Sequence, residues 1–97
     1  MTQQLSQAKF LLRYRICAAH DPWMQAGAVA LRNRVFVQEQ RVFTDHDRDA
    51  IDDCALPLVA IAEDATGGPL VVGTVRIHEA EPGLWWGSRL AVAPDWR

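Results

Sequence analysis

Apolar residues along the chain alternate, then recur at helical spacing, then alternate again. Residues 10–18 set Leu12, Tyr14 and Ile16 against Arg13, Arg15 and Cys17, which predicts a first strand after a polar, Gln-rich lead-in over 1–9. Met24, Ala28, Leu31 and Val35 then follow the period of a helix. Asp21-Pro22 stands before them, an N-cap acceptor and a residue whose fixed φ suits the first helical position, so a helix is predicted over 22–39. Its far end carries Val35-Phe36-Val37, β-branched and aromatic side chains that crowd the preceding turn, and the helix is expected to loosen there. A polar connection occupies 41–53. Residues 56–64 and 70–79 read as strands joined by Thr66-Gly67-Gly68-Pro69, a turn whose glycines can take positive φ. A second tight turn, Glu81-Pro82-Gly83, leads into a last strand. There Leu84, Trp86, Ser88, Leu90 and Val92 fall on one face and Trp85, Gly87, Arg89, Ala91 and Ala93 on the other. Small residues on the second face leave room for something to lie close to the backbone. Pro94 has no N–H to give a ladder and ends the strand, and Pro94-Asp95 is turn chemistry leading towards a helix N-terminus. The expected fold class is α+β: a strand, a long helix, then a three-stranded antiparallel meander, all within one domain over 1–97.

Composition narrows the function classes. Hydrophobic residues at 49% and charged residues at 23% are ordinary globular values, and a net charge of −2 offers no electrostatic reason to expect nucleic acid. No run approaches the roughly 18 apolar residues of a membrane helix, and the first nine residues lack the charged-then-apolar layout of a secretory signal, so the expected compartment is the cytoplasm, with no membrane partner. Cys17 and Cys54 stand outside any C-x-x-C or Cys/His ligand spacing; they are expected to be buried free thiols, and no metal is placed on them.

Five aspartates fall within 41–53, at 45, 47, 49, 52 and 53. Asp45, Asp47 and Asp49 imitate the first ligands of a calcium loop, but Ala50 stands where that loop needs glycine and Leu56 where it needs a bidentate glutamate. Two readings stay open: a solvated acidic loop, or carboxylates facing a cleft, where they hold a cationic amine or orient Arg32 and Arg34 from the helix. Arg76 shares a predicted strand face with Leu70, Val72, Thr74 and His78. A charge there needs a carboxylate or a ligand, and Asp47, Asp49 or Glu39 could supply it; an exposed face would equally explain it. His20, His46 and His78 share no spacing and have no serine or cysteine in a nucleophile setting, which leaves a hydrolase triad little support. Trp85 and Trp86 point to opposite faces, and one of them is expected in the core.

Taken together, Leu31-Arg32-Asn33-Arg34-Val35-Phe36-Val37-Gln38-Glu39-Gln40, the aspartate-rich loop, Leu58-Val59-Ala60, Gly73-Thr74-Val75-Arg76-Ile77 and Arg89-Leu90-Ala91-Val92-Ala93-Pro94-Asp95-Trp96-Arg97 resemble the front half of a GNAT acetyltransferase, over about residues 12–97. The resemblance implies the acyl-CoA N-acyltransferase fold with its C-terminal half missing, the chain stopping at the start of the pyrophosphate loop. It implies acetyl-CoA as co-substrate and a small-molecule or peptide amine as acceptor. Main-chain groups of Leu90, Ala91 and Val92 would receive the pantetheine arm. Arg97 would open a loop of the form Arg/Gln-x-x-Gly-x-Gly/Ala, whose N–H groups cradle a pyrophosphate at a helix N-terminus.

Such a site lets a deprotonated amine attack a thioester whose carbonyl is polarised by a backbone N–H. Glu39 is the candidate base, with Glu79, the loop aspartates or an ordered water as alternatives. Arg32, Phe36, Asp47, Asp49 and Arg76 are the candidate substrate-binding residues. The chain is also similar to acyl-homoserine-lactone synthases in Arg32, Phe36, the Asp47/Asp49/Asp52 loop and Arg76, and differs from them in length and in the order of its carboxylates. A non-catalytic acyl-CoA-binding module is the reading from another class. A homodimer is the candidate assembly.

Overall fold

In the computed structural model, which describes residues 14–63 and 66–97, one helix lies on a four-stranded antiparallel sheet. The strands are β1 (Tyr14–Ala18), β2 (Leu56–Glu63), β3 (Pro69–Glu81) and β4 (Leu84–Val92), in the spatial order β1-β2-β3-β4. The helix α1 spans Pro22–Arg32. Class, element order and the pairing of the second and third strands match the sequence expectation, Leu56 facing Ile77 and Glu63 facing Pro69. The lead-in over 1–9, positions 10–13 of the first predicted strand, and Asp64 lie outside the described residues.

Helical spacing decided which residues enter the core. Met24, Ala28, Leu31 and Val35 are all buried. Met24 and Ala28 pack with Ala19, Val59 and Ile61, and Leu31 and Val35 with Ala91. The α1 start differs from expectation. Pro22 takes the first position, but the Asp21 side chain makes no capping bond; its carbonyl accepts from Met24 and Gln25, and its carboxylate lies 3.6 Å from His20 Nε2. After Arg32 the backbone widens into a π-helical stretch, Asn33–Glu39, where Gln40 N–H bonds to the Val35 carbonyl. This is the expected loosening, at the run of side chains that crowd an α-helical turn.

Three irregularities interrupt the ladders, one of them at Ala80 beside the β3–β4 turn, and the two in mid-strand reset the strand faces. Between Ala60↔Gly73 and Ile61↔Val71, Val72 is an extra residue in β3. Val71 rather than Leu70 therefore lies under the helix, and it approaches so closely that a Cβ on Gly27 would sit 2.6 Å from Val71 Cγ2. Between Arg76↔Ser88 and Thr74↔Ala91, β4 places Arg89 and Leu90 opposite Val75 alone. Uninterrupted alternation would put Ser88 and Ala91 on opposite faces. With the bulge both serve the helix side: Ser88 Oγ accepts from Arg76, and Ala91 packs on Leu31 and Val35.

The end of the β3–β4 hairpin runs beyond β2, whose last pair is Leu56↔Ile77. Trp85 and Trp86 lie there at 55% and 58% exposed, so neither is a core residue. Gly83 turns the hairpin at φ +80°, and Gly67 turns the preceding one at φ +84°; Gly68 has no positive φ. Cys17 is half-buried against the core, whereas Cys54 is exposed where it closes the short 3-10 turn Ala50–Asp53.

Candidate functional site

The acidic connection is built into the fold. Asp49 caps the turn Ala50–Asp53, accepting from Ile51 N–H at 3.0 Å while Asp52 Oδ2 accepts from Asp49 N–H at 3.0 Å. This capping box aims both carboxylates at the sheet, where Arg76 rises from β3. Arg76 is only 3% exposed and grips Asp49 with both terminal nitrogens, at 2.6 and 2.9 Å, its Nη1 also lying 3.0 Å from Asp52. A bidentate pair of this kind is the strong form of the interaction. The expectation that a loop carboxylate meets Arg76 is met by Asp49 and not by Glu39.

Arg32, buried at the end of α1, closes the arrangement from above. Its Nε donates to Asp47 at 2.6 Å, its Nη1 to Asp52 at 2.7 Å and its Nη2 to Asp52 at 3.1 Å. Arg89, on the β4 bulge, completes it with Nη2 3.2 Å from Asp49 Oδ2 and Nε 3.4 Å from Asp47 Oδ2. Three arginines and three aspartates thus alternate in a closed ring, Arg32–Asp47–Arg89–Asp49–Arg76–Asp52, with no net charge. Phe43 lies under the Arg89 guanidinium, 4.4 Å from ring centroid to Cζ.

Ionisation follows from this geometry. Hydrogen bonds from Arg76 hold the Asp49 carboxyl below the usual carboxylate range, and the charges of Arg76 and Arg89 act the same way. At Asp52 burial is the largest influence and would raise it, but bonds from Arg32, the Asp49 N–H and Arg76 together drive it well down. The Asp49 bonds push Arg76 up against its burial. Arg32 is raised because its bonds to Asp52 and Asp47 outweigh a larger single effect of burial.

Four of the proposed substrate-binding residues, Arg32, Asp47, Asp49 and Arg76, are therefore brought together. They bind one another, so of the two roles open to carboxylates facing a cleft the structure shows the orienting of Arg32. The solvated-loop reading holds for the exposed Asp45 and Asp53, and not for the buried Asp47. Phe36 packs in the core beside Leu31, Val35 and Ala91, and its carbonyl accepts from Val42 and Phe43.

Glu39 belongs to a second, exposed group. It accepts from Arg97 Nη2 at 2.7 Å and lies 4.0 Å from Arg34 Nε, so Arg34 is oriented by Glu39 rather than by the loop. Arg97 also donates from Nε to the Val92 carbonyl at 3.0 Å, which folds the turn after β4 back onto its last residue. Leu90 is exposed, Ala91 buried and Val92 half-buried along the sheet's outer strand.

Sequence reasoning gave Arg89 and Ser88 no role. Their signal is the bulge, which leaves no trace in a strand whose residues would suit either face. On β3 opposite Trp86, His78 Nδ1 is buried with no hydrogen-bond partner among the described residues. A cavity of about 200 Å³ lies between α1 and the sheet, bordered by Gln25, Ala28, Arg32, Asp52, Thr74 and Arg76. Among the described residues no group of three His, Cys, Asp or Glu side chains is disposed to hold a metal ion, and no helix is long and apolar enough to cross a membrane. The chain matches no protein-family model and no curated protein sequence.

Proposed function

We propose that this chain forms the front half of a GNAT-type N-acetyltransferase domain, moving an acetyl group from acetyl-CoA to an amine of a small molecule or peptide. The observation that carries the reading is the β4 bulge. It sits on the outer strand of the sheet at Arg89 and Leu90, between the ion-pair ring and the turn at Pro94. A bulge leaves its extra residue outside the ladder, and an outer strand has main-chain N–H and C=O groups facing away from its neighbour. Leu90, Ala91 and Val92 therefore fit an extended, amide-bearing arm of the pantetheine kind.

The co-substrate would supply an activated acyl thioester. The chain's contribution is to position and polarise: main-chain N–H groups at Leu90 to Val92 orient the arm, and donors fixed in place stabilise charge where it develops. The proton of the amine is assigned to Glu39, whose carboxylate is exposed beside Arg97, with an ordered water as the alternative acceptor. Arg32 and Arg76 are saturated by carboxylates and are not assigned to the phosphates. These are given instead to Arg97, which is exposed and would exchange its carboxylate contact, Glu39, for them, and to the main-chain N–H groups of a glycine-rich loop following it.

A second reading rests on a specific observation. The gathering of Arg32, Asp47, Asp49, Asp52 and Arg76 in one ring unites the charged residues on which the likeness to acyl-homoserine-lactone synthases depends, while Phe36 packs apart from them against Leu31 and Val35. Calorimetry with acetyl-CoA, on the 97 residues and on the gene product read on past Arg97, tests the main reading. The longer product is expected to bind and the 97 residues to bind far more weakly. Thiol release in the presence of an amine panel then separates an enzyme from a non-catalytic acyl-CoA-binding module. Equal affinity in the two chains would place the site elsewhere, and no binding to either would remove the reading.

A further inference from the structure

We propose that the acidic loop acts as a clamp on the β4 bulge, with Arg89 as the positioning residue that sets the direction of the main-chain groups at Leu90 and Ala91. As a role in catalysis this rests on the acetyltransferase reading; as a statement about the bulge it does not.

Arg89 has φ +55°, the left-handed region that residues with a Cβ seldom adopt. Such a conformation persists where the surroundings over-determine it. Here five contacts do so, all from one segment. Arg89 Nε and Nη2 both donate to the Asp47 carbonyl, at 3.2 and 3.1 Å. Nη2 also lies 3.2 Å from Asp49 Oδ2, and Nε 3.4 Å from Asp47 Oδ2. The Phe43 ring packs against the guanidinium.

The loop is in turn immobilised from its other side. Arg32 holds Asp47 at both carboxylate and carbonyl, and Arg76 holds Asp49 while donating from Nε to Ser88 Oγ, the residue just before the bulge. Helix, loop and two strands thus converge on one backbone angle. The bulge decides that Ala91 faces Leu31 and that Leu90 lies outside the ladder, so releasing Arg89 should let β4 slip back to regular alternation and re-aim both residues.

Glycine separates this role from ordinary packing, because it adopts positive φ without a clamp. Backbone amide NMR of the full chain, read at Leu90, Ala91 and Val92, compares Arg89→Ala, Arg89→Gly and Asp47→Asn with the unchanged protein. In Arg89→Ala the three amides are expected to shift, and that of Ala91, paired with Thr74 in the ladder, to exchange with solvent at least about tenfold faster, a factor equivalent to roughly 1.4 kcal/mol. In Arg89→Gly they should stay near their original positions although the same contacts are lost, and Asp47→Asn should fall between. Core amides of Ala28 and Val59 report whether each variant is folded. Unchanged amides in a folded Arg89→Ala, or an Arg89→Gly as disturbed as Arg89→Ala, would overturn the clamp.

Adding acetyl-CoA at millimolar concentration to the gene product read on past Arg97 examines the parent reading separately. If Leu90 to Val92 do not respond while the Arg89 variants behave as stated, the acetyltransferase assignment fails and the clamp stands.

Discussion

Gly27 shows at a single residue how packing overrides local preference. Replacing a mid-helix glycine by alanine ordinarily stabilises a helix by about 1 kcal/mol. Here the new Cβ would lie 2.6 Å from Val71 Cγ2 and 2.9 Å from Val71 Cβ, and a valine held on a strand has no flexible end to move aside. Gly27→Ala is therefore expected to lower stability by roughly 1–3 kcal/mol, the cost of overpacking, seen as a lower denaturant midpoint with an unchanged slope. A variant more stable than the parent would show that α1 rides higher on the sheet. The apolar stripe of α1 was legible because Met24, Ala28, Leu31 and Val35 need only the helical period to share a face. The partner of Gly27 was not, since Val71 reaches the helix only through the extra residue at Val72.

At the scale of elements, the acidic loop is expected to make the fold sensitive to acid. Asp49 and Asp52 both have carboxyl groups held below their ordinary value, so each binds its proton more readily in the unfolded chain than in the folded one. The sign is fixed by that difference: the stabilisation is complete above the ordinary carboxylate range of about pH 4 and is lost as pH falls below it towards the folded values. Denaturant midpoints taken across this range should drop in the unchanged protein and drop less in Asp52→Asn, which cannot titrate there. Equal slopes in the two would mean that the ring contributes nothing to acid lability. A carboxylate partner for Arg76 was legible because a cation on a largely apolar strand calls for one, but Asp49 stood there only as one candidate beside Asp47 and Glu39. Arg89 was not legible, because periodicity places it away from Ser88 and the positive φ that turns it towards Asp47 has no glycine to announce it.

For the molecule as a whole, the sheet is apolar on both faces while α1 covers one. On the other face Ile16 is 76% exposed and Tyr14 51%, alongside Trp85 near the hairpin end. Among the described residues β4 also forms an edge of the sheet, and a long apolar edge is a template for another strand. The bulge restricts where pairing can start: β4 runs without an extra residue of its own over 84–88 and can accept a partner strand there, but Arg89 and Leu90 interrupt it. Self-association of the 97 residues should therefore run through 84–88 of two copies, with the exposed tryptophans entering the contact. Sedimentation equilibrium is expected to give a mass that rises with concentration, and tryptophan emission should move to shorter wavelength over the same range. Trp85→Lys should return the chain towards a monomer, since a charge on an edge strand opposes addition of a second one. A mass that stays monomeric at every concentration in the unchanged chain would show that this edge is closed in solution.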